Sequence, residues 1–265
     1  MTASAQELKT EAIGEVLSMI DNRLDKKQAA DVRFFVERLY DRLAPDDILG
    51  IQPENLYGSA LSLFKFAALR KPNTAKVRAF SPTLEEHGWR TSHSVIEIVN
   101  DDMPFLVDSV TAALNQRGIN VHLVIHPIYF EERDKLGQHV QFYPQVAKGT
   151  QKGVAESYMH LEVDEQSDPK ILKEIETELQ SVLEDVRVAV ADWRTILDQA
   201  GTIAKKLKTS PPPVDKEEVD EGRALLEWMV DNHFTFLGFR EYTFTGSGKS
   251  KAENWQPVEG SGLGI

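Results

Sequence analysis

The sequence predicts an α+β protein, on three observations. Apolar residues recur at helical spacing through the first 75 residues, and the spacing then shifts to short β-type runs around one helical stretch. A proline-rich linker near residue 210 then introduces a further helix and an aromatic strand. The organisation that follows is an N-terminal helical segment (1–75), a βαββα unit (76–208), and a linker with the start of a second, incomplete α+β domain (209–265).

Taken in order, Leu8, Ala12, Val16, Leu17, Ile20 and Leu24 form the stripe of a first helix. Val32, Phe35, Val36, Leu39 and Leu43 form a second, ended by Ala44-Pro45. A third opens at Pro53, where a missing amide proton does no harm, and stops before Pro72. Lys76 to Phe80 is a short strand, SPTLEEHGW a loop, and Ser94 to Val99 a near-continuous apolar run suited to a buried strand. Helical spacing resumes from Pro104 with Leu106, Val107, Val110, Ala113 and Leu114, and Gly118 supplies the stop. Val121 to Phe130 is β-rich, with Pro127 implying an edge position or a bulge. Residues 131–155 make a hairpin excursion, and Ser157 to Val163 is the returning strand. Asp168-Pro169 opens a long helix that ends near Lys205, Lys206 and Lys208, where cations suit the dipole. Beyond TSPPPVDKEE come an acidic helix (215–231), an aromatic strand HFTFLGFREYTF and a loop-like tail. That last segment is too short to fold alone, so the chain is expected to be the front of a longer polypeptide.

Composition narrows the function classes. With 265 residues, 41% hydrophobic and 27% charged, the chain is globular and has a core to bury. A formal net charge of −12 supplies no field for phosphate backbones, so nucleic acid is not an expected partner. The absence of cysteine removes disulfides, thiolate metal sites and thiol nucleophiles. No signal-type N-terminus and no apolar run of 18 residues occur, so neither secretion nor a membrane span is expected, and a cytoplasmic location is the default.

The stretch NDDMPF, residues 100–105, is the main candidate for chemistry. Asp101 and Asp102 could hold Mg²⁺ or act as acid and base. Yet a strand ends and a helix begins here, so aspartates that cap the helix and a proline in its first turn explain the pattern more simply. A third use of the turn is to present its amides to a carboxylate ligand. His122 and His126 sit four apart, but on a strand that is about 13 Å, too far for one metal ion. His160 on a neighbouring strand is the remaining metal partner. GSGKS at 246–250 resembles the tail of a phosphate loop, but Thr243 stands where the first glycine belongs. GSGLGI lacks a strand–turn–helix setting, no GxSxG elbow exists, and the aromatic strand reads as core.

NDDMPFLVDSVTAALNQRGINVHLVIHP follows the order of a ferredoxin-type split βαβ unit and resembles an ACT-like regulatory domain. With LYGSALSLFKFA, KVRAFSPTLEEHGW, DNHFTFLGFREY and GSGLGI, it resembles the N-terminal region of the large bacterial NAD-dependent glutamate dehydrogenases, from about Phe34 to the last residue. The resemblance implies a parent enzyme that deaminates glutamate to 2-oxoglutarate and ammonia, with NAD bound in a downstream catalytic domain. It implies no catalytic residue or cofactor within this chain, and the residues themselves give no expected metal site. It also implies a homo-oligomer and a possible amino-acid effector. The effector would sit on Asn100, Asp101, Asp102, Met103, Pro104, Phe105 and Asp108, with Gly118 and Ile119 opposite. Amides of Asp102 to Phe105 would take its carboxylate, and Asp101 or Asp108 its amino group. Two departures from the ACT pattern stand out: Pro104-Phe105 replaces a common glycine, and a last strand is missing because Asp185 to Trp193 continues a helix. A structural oligomerisation module is the alternative, and a metal-dependent hydrolase using Asp101, Asp102 and a histidine is the most remote reading.

Overall fold

The computed structural model describes residues 4–145, 149, 151–245 and 254–265. They form two compact units, Met1–Glu184 and Asp185–Ile265. The GSGKS stretch lies outside the described residues.

The first unit opens with helices α1 (Ala5–Arg23), α2 (Lys26–Asp41), α3 (Pro45–Ile48) and α4 (Pro53–Ala67). Ser4 caps α1 in a capping box with Glu7, and Asp25 caps α2 by accepting from the amides of Lys27 and Gln28. Strand β1 (Lys76–Phe80), a single helical turn α5 (Leu84–His87) inside the expected loop, and β2 (Ser94–Asp101) follow. Then come α6 (Leu106–Gln116), β3 (Val121–Ile125), β4 (Ile128–Arg133), β5 (His139–Tyr143) and β6 (Val154–Val163). Helix α7 (Pro169–Thr209) starts in this unit, with Asp168 accepting from the Lys170 amide.

The sheet runs β1-β2-β6-β4-β5, antiparallel throughout, with β3 also paired to β6. Strands β3 and β4 share one register along β6: Ile125 faces His160 and Ile128 faces Ser157. They form a single line broken at His126-Pro127, where the proline has no amide proton to donate but its carbonyl still accepts from Tyr158. In the βαββα order β2-α6-β3-β6-α7 the outer place beside β2 belongs to a closing strand. Here β1, from before the unit, occupies that place antiparallel to β2. The missing last strand is thus replaced by an earlier one, which frees α7 to continue as helix.

Strict alternation divides the sheet. Val99, Ile125, Tyr129 and Tyr158 face α1, α2 and α4 in one apolar core around Phe35, whose ring stacks on Tyr129 at 4.9 Å. Ile96, Ile98, Met159 and Leu161, at the intervening positions, are fully buried on the other face, as are Leu106, Val110 and Leu114 of α6 and Ile175, Leu179 and Leu183 of α7. Glu176 on α7 accepts from the Ala79 amide and ties that helix to β1.

In the second unit α7 continues, and α8 (Lys216–Trp228) is followed by a wide helical turn, Met229–His233. The aromatic segment is not one strand as expected. It is split into β7 (Gly238–Phe239) and β8 (Tyr242–Thr245), and the loop-like tail returns as β9 (Asn254–Pro257) and β10 (Leu263–Gly264). Gly264 pairs with Gly238, and at φ +69° a side chain there would collide with the Leu237 carbonyl. GSGLGI is therefore a close backbone crossing.

Candidate functional site

The turn after β2 differs from the capped helix start expected for it. Asp101 closes β2, and α6 begins only at Leu106. The N-cap residue is Phe105, with φ +71° and no side-chain capping bond. Neither aspartate caps the helix. Pro104 precedes it rather than entering its first turn. A bulky side chain at positive φ costs about 1–2 kcal/mol, and such strain gathers at sites with a task. The backbone here adopts the conformer a glycine would take, while the Phe105 ring lies 46% exposed.

The other sequence-predicted residues fall into distinct places. Asn100 is buried within β2. Asp101 accepts from Arg70 at 2.8 Å, so it is committed to an internal ion pair. The Asp102 amide donates to the Ala155 carbonyl and Pro104 has no proton, which leaves the amides of Met103 and Phe105 in the turn. Asp108 is exposed in the first turn of α6. Gly118 and Ile119 close the far end of α6, about 16 Å away by helical rise. There Gly118, φ +73°, donates to the Asn115 carbonyl and Ile119 to that of Leu114, a Schellman closure. The fold does not bring this pair to the turn.

Burial pushes the Asp102 carboxyl up, and nearby His126 pulls it back. Burial in turn depresses His126, with Asp102 opposing, while its Nε2 lies 2.6 Å from Ser157 Oγ. The two groups line a cavity of about 330 Å³ between α2 and the β3–β4 break, together with Arg38, Arg42 and Asp41. No interaction within the described residues engages the Arg42 guanidinium. The cavity therefore offers cationic, anionic and apolar walls to a small zwitterion.

The histidines do not assemble a metal site. His122 Nε2 meets Asp164 at 2.8 Å and its ring stacks on His93 at 4.5 Å. Among the described residues no group of three or more His, Asp or Glu could hold an ion. The two adjacent carboxylates also diverge, Asp101 toward Arg70 and Asp102 toward His126.

Sequence reasoning missed two buried polar networks on the helix-facing side of the sheet. In one, Arg70 and Arg133 both grip Glu156 in two-pronged fashion at 2.7–3.1 Å. Arg133 also reaches Glu131, which pairs with His139 and Tyr158. Burial penalises the Glu156 carboxylate, but the two guanidiniums outweigh this and hold it below its usual range. In the other, Arg78 holds Glu97, and His160 lies between Glu97 at 3.6 Å and Glu162 at 3.9 Å. Burial pulls the His160 imidazole down, yet Glu162 and Glu97 together raise it to about 9. The signal was present in VAESYMHLEV, where Glu156, His160 and Glu162 occupy the same face of a strand that is otherwise apolar but for Ser157.

A split βαβ sheet, closed by a fourth strand and covered by α6 and α7, is the architecture of an ACT-type α+β domain. Residues 35–179 match the family described as glutamate dehydrogenase, ACT1 domain, and the chain belongs to that family. It is 34% identical over 262 residues, 98% of its length, to the NAD-specific glutamate dehydrogenase of Halomonas elongata. It is 32% identical over 86% of its length to that of Pseudomonas aeruginosa, and 28% identical over 55% to that of Mycobacterium tuberculosis. The chain spans 16%, 14% and 9% of those relatives. Among the described residues no helix is long and apolar enough to cross a membrane.

Proposed function

We propose that this chain is the N-terminal regulatory region of a NAD-specific glutamate dehydrogenase. It would act on a catalytic domain elsewhere in a cytoplasmic homo-oligomer whose reaction converts L-glutamate, NAD and water to 2-oxoglutarate, ammonia and NADH. The observation that carries this reading is the similarity along almost the whole chain to a small part of much longer dehydrogenases. The NAD and the catalytic residues belong to that other domain.

Within this reading the chain senses an amino acid at the turn. The ligand carboxylate meets Arg42 and the amides of Met103 and Phe105, and the ammonium meets Asp102. Asp101 is unsuited to the second role because Arg70 occupies it. Regulation then requires that the ligand prefer one of two states of the whole enzyme. Calorimetric titration of each of the twenty amino acids into the chain tests the site. Saturable heat for at least one, lost in Asp102→Asn, is the expected result. No heat from any of the twenty would leave an assembly role. For that second reading β3 supplies a specific feature, since among the described residues Val121–Ile125 pairs with β6 alone and presents an open edge. Light scattering that gives a strict monomer at high concentration would remove it.

A further inference from the structure

A second cavity, about 210 Å³, lies between α2–α4 and the inner face of β3 and β6. It is smaller than the ~300–1,000 Å³ that drug-sized ligands need, so an occupant has few heavy atoms. Its apolar wall is Leu43, Ile48, Leu56, Leu123 and Ile125. Its polar wall is uneven, because some of its groups are already engaged and others are not. Glu162 Oε2 accepts from Thr91 at 3.2 Å and meets His93 at 2.7 Å, while its Oε1 faces His160. The Tyr40 hydroxyl is spent on the Leu56 carbonyl at 2.8 Å. By contrast Trp89, only 2% exposed, has its indole N–H buried without a partner. That nitrogen is closed to a water-sized atom, so the donor stays unmet at a cost of about 1–3 kcal/mol and Trp89 offers the cavity its ring. Asn55 Oδ1 accepts from the Arg90 amide at 3.0 Å, which leaves the Asn55 NH₂ as a further donor. The guanidinium of Arg90 has no partner among the described residues, and Arg90 also lines the cavity. Asp47 is the sole unengaged acid on this wall among the described residues, and it is exposed.

The unspent donors of Asn55 and Arg90, one of them a fixed cation, beside a branched apolar wall are complementary to one chemistry. We propose that this cavity is a binding site, separate from the turn, for a small carboxylate with a branched apolar tail. The carboxylate takes the Asn55 amide and Arg90 beside the Trp89 ring, and the tail packs on Leu123 and Ile125. Because Asp47 stands at the rim, such a carboxylate can come from a simple acid or from an amino acid, and the test separates the two.

Trp89 is its own reporter. In the 265-residue chain carrying Trp193→Phe, Trp228→Phe and Trp255→Phe it is the only tryptophan left. Its emission is titrated with 3-methylbutanoate, with L-valine, and with 2-methylpropylamine, which keeps the tail and the cation but lacks the carboxylate. A saturable change with at least one of the two carboxylates, and none with the amine, is expected; the tighter of the two identifies the source. Arg90→Ala, at an exposed position, should weaken that binding by about tenfold or more, and Asp102→Asn should leave it unchanged. Calorimetry on the otherwise unmodified chain gives the same comparison should the triple variant fold poorly. No saturable response to either carboxylate up to about 10 mM, or an amine that binds as tightly, overturns the proposal. Loss of binding in Asp102→Asn but not in Arg90→Ala would assign the ligand to the turn and overturn it equally.

Discussion

Raising the pH from 7 to 9.5 should weaken the first unit, and His160 is the group that does it. The imidazole is 2% exposed and lies between Glu97 and Glu162 on the helix-facing side of the sheet. Its folded value is about 9 against an ordinary 6.5. A raised histidine contributes stability that is complete below pH 6.5 and is lost as pH climbs through 9. Moving from 6.5 to about 9, at about 1.36 kcal/mol per pH unit, is worth about 3 kcal/mol. Burial also lowers Lys76, which acts in the opposite sense as pH rises, so the comparison with His160→Gln isolates the imidazole. His126 is depressed, so its contribution is already level above pH 6.5, and the buried Tyr129 and Tyr158 are raised well above 10. The chain has no cysteine to ionise near pH 8.5. The assay is urea unfolding of the chain and of His160→Gln at half-unit pH steps, with the His160 ring signal followed by NMR. The midpoint of the unmodified chain should fall by roughly 1–3 M across the window, and that of the variant should stay nearly level. A ring that titrates at or below 6.5, or two parallel midpoint curves, would refute the reasoning.

Glu156→Gln should cost about 3–5 kcal/mol, read as a lowered thermal midpoint, because Arg70 and Arg133 would keep buried charges with a weaker partner. Since Glu156 is held below its ordinary range, its stabilisation is present above about pH 4.3 and is lost as pH falls through its folded value; acid unfolding should therefore be steeper in the unmodified chain than in this variant. Phe105→Gly should leave the unfolding free energy unchanged or raise it by up to about 1 kcal/mol in a urea melt, since relief of the φ +71° strain offsets the entropy of glycine; a loss beyond about 1 kcal/mol would mean the ring itself is held in place. Gly118→Ala should cost about 1–2 kcal/mol from backbone strain alone, because its Cβ would meet nothing within 4 Å. Gly137→Ala, at φ +85° with its Cβ thrust onto the Arg70 carbonyl, should cost clearly more in the same melt.

Much of the fold was legible before any coordinates. The helix that opens at Pro53, the stop at Gly118 and the start after Asp168 each depend on groups within about four residues, and periodicity and capping chemistry act at that range. The βαββα order was legible for the same reason. The turn was less so. Its acidic pair reads locally as a capping element, yet Asp101 is claimed by Arg70, 31 residues away, and Phe105 takes the left-handed conformation no propensity assigns to it.

The amino-acid sequence by itself determined the element types, their order and the acidic, cysteine-free surface chemistry, because these follow from neighbours along the chain and from composition. Tertiary structure alone decided that β1 takes the closing strand's place, that β3 and β4 run as one line along β6, and that charged residues of β2, β4 and β6 face inward. Arg70 and Glu156 stand 86 residues apart, so only the register of the sheet and the helices laid over it could turn them into partners. The cavity at Trp89 has the same origin: it exists where two layers meet imperfectly, a property that neither layer carries in its own sequence.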